Sequence, residues 1–443
     1  HVRIINCGSI KNVKIGDYAE LVGVSRLKNG SVNSNLYAPV RLGSGVKCSD
    51  FIVCSGVKID DSTLVDKCFV GQGCVFDKHY SASESLFFSN CQGMHGEACA
   101  IFAGPYTVTH HKSTLLIAGM FSFLNAGSGS NQSNHMYKLG PIHQGIAERG
   151  AKTTSDSYLL WPSKIGAFSL VMGRHTHHAD TSDLPFSYLI ENNADSYLVP
   201  CANLRTVGTI RDAQKWPKRD NRKDPHKLDQ INFNLLSPYT VQKMWRGAEI
   251  LDELCAISGE STDVYGYKNC KIRNSSLRHG RELYRIGIQK FLGNSLISRL
   301  EHHTLRTMED VRAVLRPDSE IGLGDWVDLA GMIAPKHAVT TLLNEIEQGN
   351  HTIQTIESRL NDMHTNYYSY EWTWALQRLE QVWGCSVEQV TLQQIRSTIC
   401  EWQAAVVALD KMVYNDARKE FDLNSQTGFG VDGDRKQMEA DFE

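Results

Sequence analysis

The chain has 443 residues, and 46 Lys+Arg against 49 Asp+Glu leave a formal net charge of −3, so no global basic field draws it to nucleic acid. With 41% hydrophobic and 21% charged residues it has the composition of a folded globular protein, not of a disordered one. No apolar run approaches the ~18 residues of a membrane span, because the most apolar stretch, Leu115 to Leu124, is broken by Gly119 and Ser122.

The chain opens at His1 and runs directly into Val2, Ile4 and Ile5, which reads as a mature or trimmed piece; the helical-looking end at Glu443, with no stop signal, reads the same way. Twelve Cys are scattered without CxxC pairs, as expected of reduced thiols in the cytoplasm.

From the N-terminus aliphatic residues recur every six positions: Ile15, Leu21, Leu27; Val40, Val46, Ile52; Leu64, Val70, Phe76; Leu159, Ile165, Val171; Leu198, Leu204, Ile210. A small residue often stands two places before the next one, as at Ala19, Ser44, Cys68, Cys74 and Ser163. Six residues do not fit the 3.6 period of a helix but suit a two- or three-residue strand and a tight corner, with the large side chain inside and the small one easing the turn. Each coil of this kind buries its core only by stacking on the next. Through 77–157 the register loosens, although Phe88, Met94, Ala100 and Tyr106 keep the step.

The hexapeptides Ile15–Glu20 (IGDYAE), Val70–Val75 (VGQGCV) and Ile165–Leu170 (IGAFSL) resemble those of the left-handed parallel β-helix superfamily of trimeric, acyltransferase-like proteins. The best match within it is an uncharacterised bacterial family. This resemblance implies a triangular left-handed solenoid over residues 1–235 and an oligomer, most simply a trimer. It also implies a transferase carrying an acyl group from an acyl-CoA to the hydroxyl or amine of a sugar or nucleotide sugar. Two alternatives stay open: a metal-dependent hydratase or hydrolase resembling the β-helical carbonic anhydrases, and a non-catalytic scaffold.

Inside the solenoid, residues 125–157 read as an inserted loop, too long and too polar for a coil corner. An imidazole titrates in the range a general base needs, so His135 and His143 are the candidate catalytic residues. Asn131, Asn134, Lys138, Arg149, Lys152 and Arg174 are the candidate substrate-binding groups, since guanidinium and ammonium match phosphate. His175, His177 and His178 form the candidate metal set, with His95, His110 or His111 to complete it.

Residues 211–227 combine Arg211, Lys215, Lys218, Arg219, Arg222 and Lys223 with Asp212, Asp220 and Asp224, and Pro217 and Pro225 discourage regular structure. They read as a linker, the interleaved acids weighing against a nucleic-acid patch. From Ser237-Pro238, an N-cap and N1 pair, apolar residues switch to three-and-four spacing through Val241, Met244, Trp245, Ala248 and Leu251. Residues 236–443 are therefore expected to form a mainly α-helical domain, with its tryptophans in the core.

Overall fold

The computed structural model describes residues 1–133, 144–421 and 434–442. Its N-terminal half is a parallel β-solenoid with three faces per coil, followed by a helical C-terminal region. One face is a row of short strands in which Arg41, Lys58, Val75, Gln92, Val108, Asn125, Lys152 and Leu170 stack in register. The other two faces share one sheet, because early strands such as Lys47–Val53 bend across their common corner. Later coils break there, Leu64–Asp66 giving way to Phe69–Val70.

Stacked residues such as Lys58 and Val75 lie 17 apart, not 18. Corner residues Ser62, Lys67, Gly73 and His79 all have positive φ, and their spacing of five, six and six shows one face shortened by a residue. That slip explains where strict six-residue counting fails. Val53 and Val65 point into the core, while Ile52 and Leu64 stand 45% and 44% exposed outside; Phe87, and not Phe88, fills the interior.

The last expected repeat is not a coil. Leu198 lies on a strand, Asp195–Val199, that turns back antiparallel on Tyr188–Asn192 and pairs with Cys270–Arg273, closing the end of the solenoid. Leu204 sits in a 3-10 turn and Ile210 in helix α1 (Val207–Lys218), where burial alone mimicked the spacing.

Pro217 is accommodated at the end of α1, whereas the charges beyond it fasten a strap to one solenoid corner. The strap descends the corner, with Asp220 accepting from Asn90 Nδ2 (3.0 Å) and Asp224 from Asn35 Nδ2 (2.6 Å). It then returns, Gln72 bonding to His226 and Leu228 and Asp229 accepting from Ser89 N (2.6 Å). The acids that dilute the basic run are thus its anchors. Gly73 is required beneath it: its φ is +70°, and a Cβ there would stand 3.0 Å from Asn90 Oδ1 and 3.1 Å from Asn221 Cβ. Above, Trp216 packs on the corner rings of Phe123 (4.5 Å) and Phe168 (6.0 Å).

Helix α2 (Pro238–Ser258) begins at the expected cap, Ser237 and Thr240 forming a capping box. It packs on α3 (Asn274–Leu300), and α4 (Met308–Leu315), α5 (Lys336–Glu347), α6 (Ile353–Thr365), α7 (Tyr367–Trp383), α8 (Leu392–Ala417) and α9 (Arg435–Phe442) follow. Trp326, Trp372, Trp374 and Trp383 are buried in this half. Among the described residues no helix is long and apolar enough to cross a membrane.

Candidate functional site

The coils that flank the insertion bring the polar side chains of this region together, but not as their order in the chain suggests. His135, His143, Asn134 and Lys138 lie outside the described residues. Asn131 is on a strand at the root of the insertion; beside it Gln132 is fully buried between Leu116 and Leu159, its amide without a hydrogen-bond partner among the described residues.

Arg149 does not face solvent. Its guanidinium is buried, with Nε and Nη2 donating to the two Asp328 carboxylate oxygens (3.0 and 3.1 Å), Nη1 to Asn232 O (2.5 Å) and Nη2 to Gly331 O (2.8 Å). The plane also lies over Phe123, 4.6 Å from the ring centre. Next to it Lys243 of α2 donates to both oxygens of Glu148 (2.7 and 2.9 Å), whose carboxyl burial pushes up and Lys243 pulls down. These two pairs join the solenoid to the helical half, so Arg149 is a structural cation and no longer a phosphate ligand.

Lys152, by contrast, stands on the outer face of the strand row and pairs with Asp212 of α1. Between that face and α1 lies a cleft lined by Gln92, His110, Asn125, Lys152, Lys215 and Arg219, with Tyr106, Phe123 and Trp216 at its back. His110 Nε2 is 2.6 Å from Gln92 Oε1. Facing a carbonyl oxygen, Nε2 carries the proton as assigned, which leaves the lone pair of the neutral ring on Nδ1. His110 is exposed, yet desolvation by the chain around its ring, then the nearby charges of His111, Arg219 and Lys78, hold this imidazole below its ordinary pKa. The cleft therefore presents a neutral base beside cations.

The candidate metal residues are not assembled. His175 is buried, its Nδ1 2.8 Å from Ser196 Oγ and its Nε2 3.2 Å from Met172 O, and burial lowers its pKa. His177 faces solvent and His178 Nδ1 is 3.3 Å from Leu160 O. No group of three or more His, Cys, Asp or Glu able to hold a metal occurs among the described residues. With both ring nitrogens of His175 engaged, this donor set does not fit a divalent metal. Arg174 is exposed, stacking over Tyr158 (5.5 Å) beside Asp156 (3.8 Å), away from the cleft's lining.

Sequence reasoning had singled out Lys152 but had treated His110 only as a metal ligand and Lys215 and Arg219 as linker charges. Their shared cleft becomes visible only when the return of α1 onto the solenoid is known.

Fold and cleft together define a parallel β-solenoid whose flat outer face carries an imidazole among cations, capped by a helical region. The chain belongs to the family described as "Domain of unknown function (DUF4954)", whose model matches residues 1–255. A second, "Domain of unknown function (DUF6819)", matches residues 307–443. A relative from Treponema pallidum (strain Nichols), described as an uncharacterized protein, is 23% identical over 388 residues, covering 78% of this chain. The chain spans about half that relative's length, 51% of it. Among solved structures, the Arabidopsis UDP-N-acetylglucosamine acyltransferase is similar at 13% identity over 57% of this chain and 88% of its own, with a TM-score of 0.19.

Proposed function

We propose that the His110 cleft is the active site of a transferase that moves an acyl group from an acyl thioester, such as an acyl-CoA, to the hydroxyl or amine of an anionic acceptor, a sugar phosphate or nucleotide sugar. The observation that carries this reading is the His110 imidazole held 2.6 Å from Gln92 Oε1 at the edge of a cleft bearing Lys152, Lys215 and Arg219. His110 Nδ1 takes the acceptor's proton as its oxygen or nitrogen attacks the thioester carbonyl. The C–S bond then breaks, and the imidazolium returns that proton to the departing thiolate, so the products are the ester or amide and a free thiol. Lys215 and Arg219 hold the acceptor's phosphates.

The alternative site is the insertion itself, with His135 or His143 as the base and Asn131, Asn134, Lys138 and Arg174 as its substrate contacts. A subunit contact is supported by the exterior row Ile52, Phe69, Leu86, Phe102, Met120 and Ile146, stacked on one flat face. We read it as the face through which copies associate, most simply as a trimer. All twelve cysteines are unpaired, which supports a reducing compartment, the cytoplasm.

Thiol release from acyl-CoA in the presence of sugar phosphates and nucleotide sugars tests the reaction. Loss of about 100-fold or more in kcat on His110→Ala, with melting temperature retained, is the expected result; full turnover in that variant and loss in His135→Ala or His143→Ala moves the base to the insertion.

A further inference from the structure

The outer face that carries His110 holds a second cleft, and the chain departs from its own repeat to build it. The step from Glu20 to Arg41 is 21 residues where neighbouring coils take 17. The added residues form the loop 33–39, held against the strap by Asn35 Nδ2 donating to Asp224 (2.6 Å), with Val40 N donating to Ser34 Oγ (3.0 Å). Between loop and strap opens a cleft lined by Tyr37, Arg41, Lys58, Gly73, Asn221 and Lys223.

Its chemistry is that of an anion site with an aromatic edge. The Tyr37 side chain is 64% exposed although its loop is pinned at both ends. Arg41 is paired with Glu20 through Nε (3.2 Å), and no ion pair engages Lys58 or Lys223 among the described residues. The acid nearest on the strap, Asp224, is turned to Asn35 and Ser55, which hold its carboxyl below the usual range despite burial. Lys58 and Lys223 thus line the cleft without an ion-pair partner among the described residues, beside Arg41, whose charge Glu20 shares.

We infer that this cleft binds a nucleoside phosphate, the base lying on Tyr37 and the phosphates among Arg41, Lys58 and Lys223. Lys58 and Gln92 are two strands apart on the same face, about 10 Å, and Gln92 holds His110. A ligand anchored here by its nucleotide therefore presents what its phosphates carry to the imidazole. The inference rests on the transfer reading only for what happens at His110; the binding stands without it.

Calorimetric titration of the full chain with UDP, ADP and pyrophosphate separates the parts of the claim. Wild type is expected to bind at least one nucleotide about tenfold more tightly than pyrophosphate. Tyr37→Ala removes that advantage and leaves pyrophosphate unchanged, Lys58→Glu with Lys223→Glu abolishes both, and His110→Ala changes neither by more than about twofold. Lys58→Gln with Lys223→Gln, checked by melting temperature, repeats the loss without charge reversal. The inference is overturned if no nucleotide binds, if the lysine variants bind as wild type, or if pyrophosphate equals the nucleotides with no effect of Tyr37→Ala. Nucleotide binding without thiol release toward any acceptor sinks the transfer reading and leaves this site standing.

Discussion

Arg149 and Lys152 lie three residues apart on one coil and meet opposite fates. Arg149 sits at the corner that the strap and the 326–335 hairpin enclose, and its guanidinium donates to Asp328, Asn232 O and Gly331 O. Lys152 is an outward residue of a strand, with 21% of its side chain exposed and a single carboxylate beside it at the cleft. The same polar stretch thus yields a buried structural cation and a cation lining a cleft, and the position in the coil decides which.

The contrast is broken most sharply at the buried end. Arg149→Ala leaves the Asp328 carboxylate buried without its cation and takes the Arg149 donor from the Asn232 carbonyl, while Gly331 O keeps Asn232 N (3.0 Å); it is expected to destabilise the protein by about 3–5 kcal/mol. Urea unfolding at pH 7 measures this, and adding Asp328→Leu to Arg149→Met should recover most of the loss. A cost below about 1 kcal/mol would mean that the pair is not the clasp between the two halves.

Glu371 tests the cost of enclosing a charge without a cation. Tyr367 donates to it at 2.6 Å, but burial dominates and pushes its carboxyl up to about 7 from 4.5. A folded-state pKa above the unfolded one means that stability is complete below about pH 4.5 and falls as pH rises toward 7. Glu371→Gln should therefore raise stability by about 1–3 kcal/mol at pH 8 and change little at pH 4. An equal effect at both values would assign it to packing.

At the open end the effects are smaller and appear in binding. Lys152→Ala should alter stability by no more than about 1 kcal/mol, because its ion pair is partly solvated, yet raise KM for a phosphorylated acceptor several-fold. Smaller still is the response of His110. Its depressed pKa places the acid limb of kcat/KM below 6.5, with activity rising as the imidazole loses its proton and level above neutrality. Arg219→Ala removes one of the charges that depress it, so the limb should move up by a few tenths of a pH unit; a downward shift would contradict the assignment of the base.

Much of the solenoid was legible because burial forces it: Leu21, Val46, Val70, Ile165 and Val171 all fill the interior. The shortened face was not, since Ile52 and Leu64 are as apolar as the Val53 and Val65 that displace them. The helical half announced itself through Ser237-Pro238 and the changed spacing. The cleft was legible only at Lys152. His110 lies about a hundred residues before Lys215 and Arg219, and the return of α1 along the solenoid depends on contacts such as Trp216 on Phe123, which no local pattern encodes. Arg149 misled for the complementary reason: its partner Asp328 lies 179 residues away.

The most direct measurement is the pH dependence of thiol release from acyl-CoA by wild type and His110→Ala, with acceptors that carry a phosphate. The account predicts a wild-type rate that rises with a pKa below 6.5 and a variant slower by about 100-fold or more at every pH, with unchanged melting. A variant that keeps the wild-type rate and the same acid limb would contradict it.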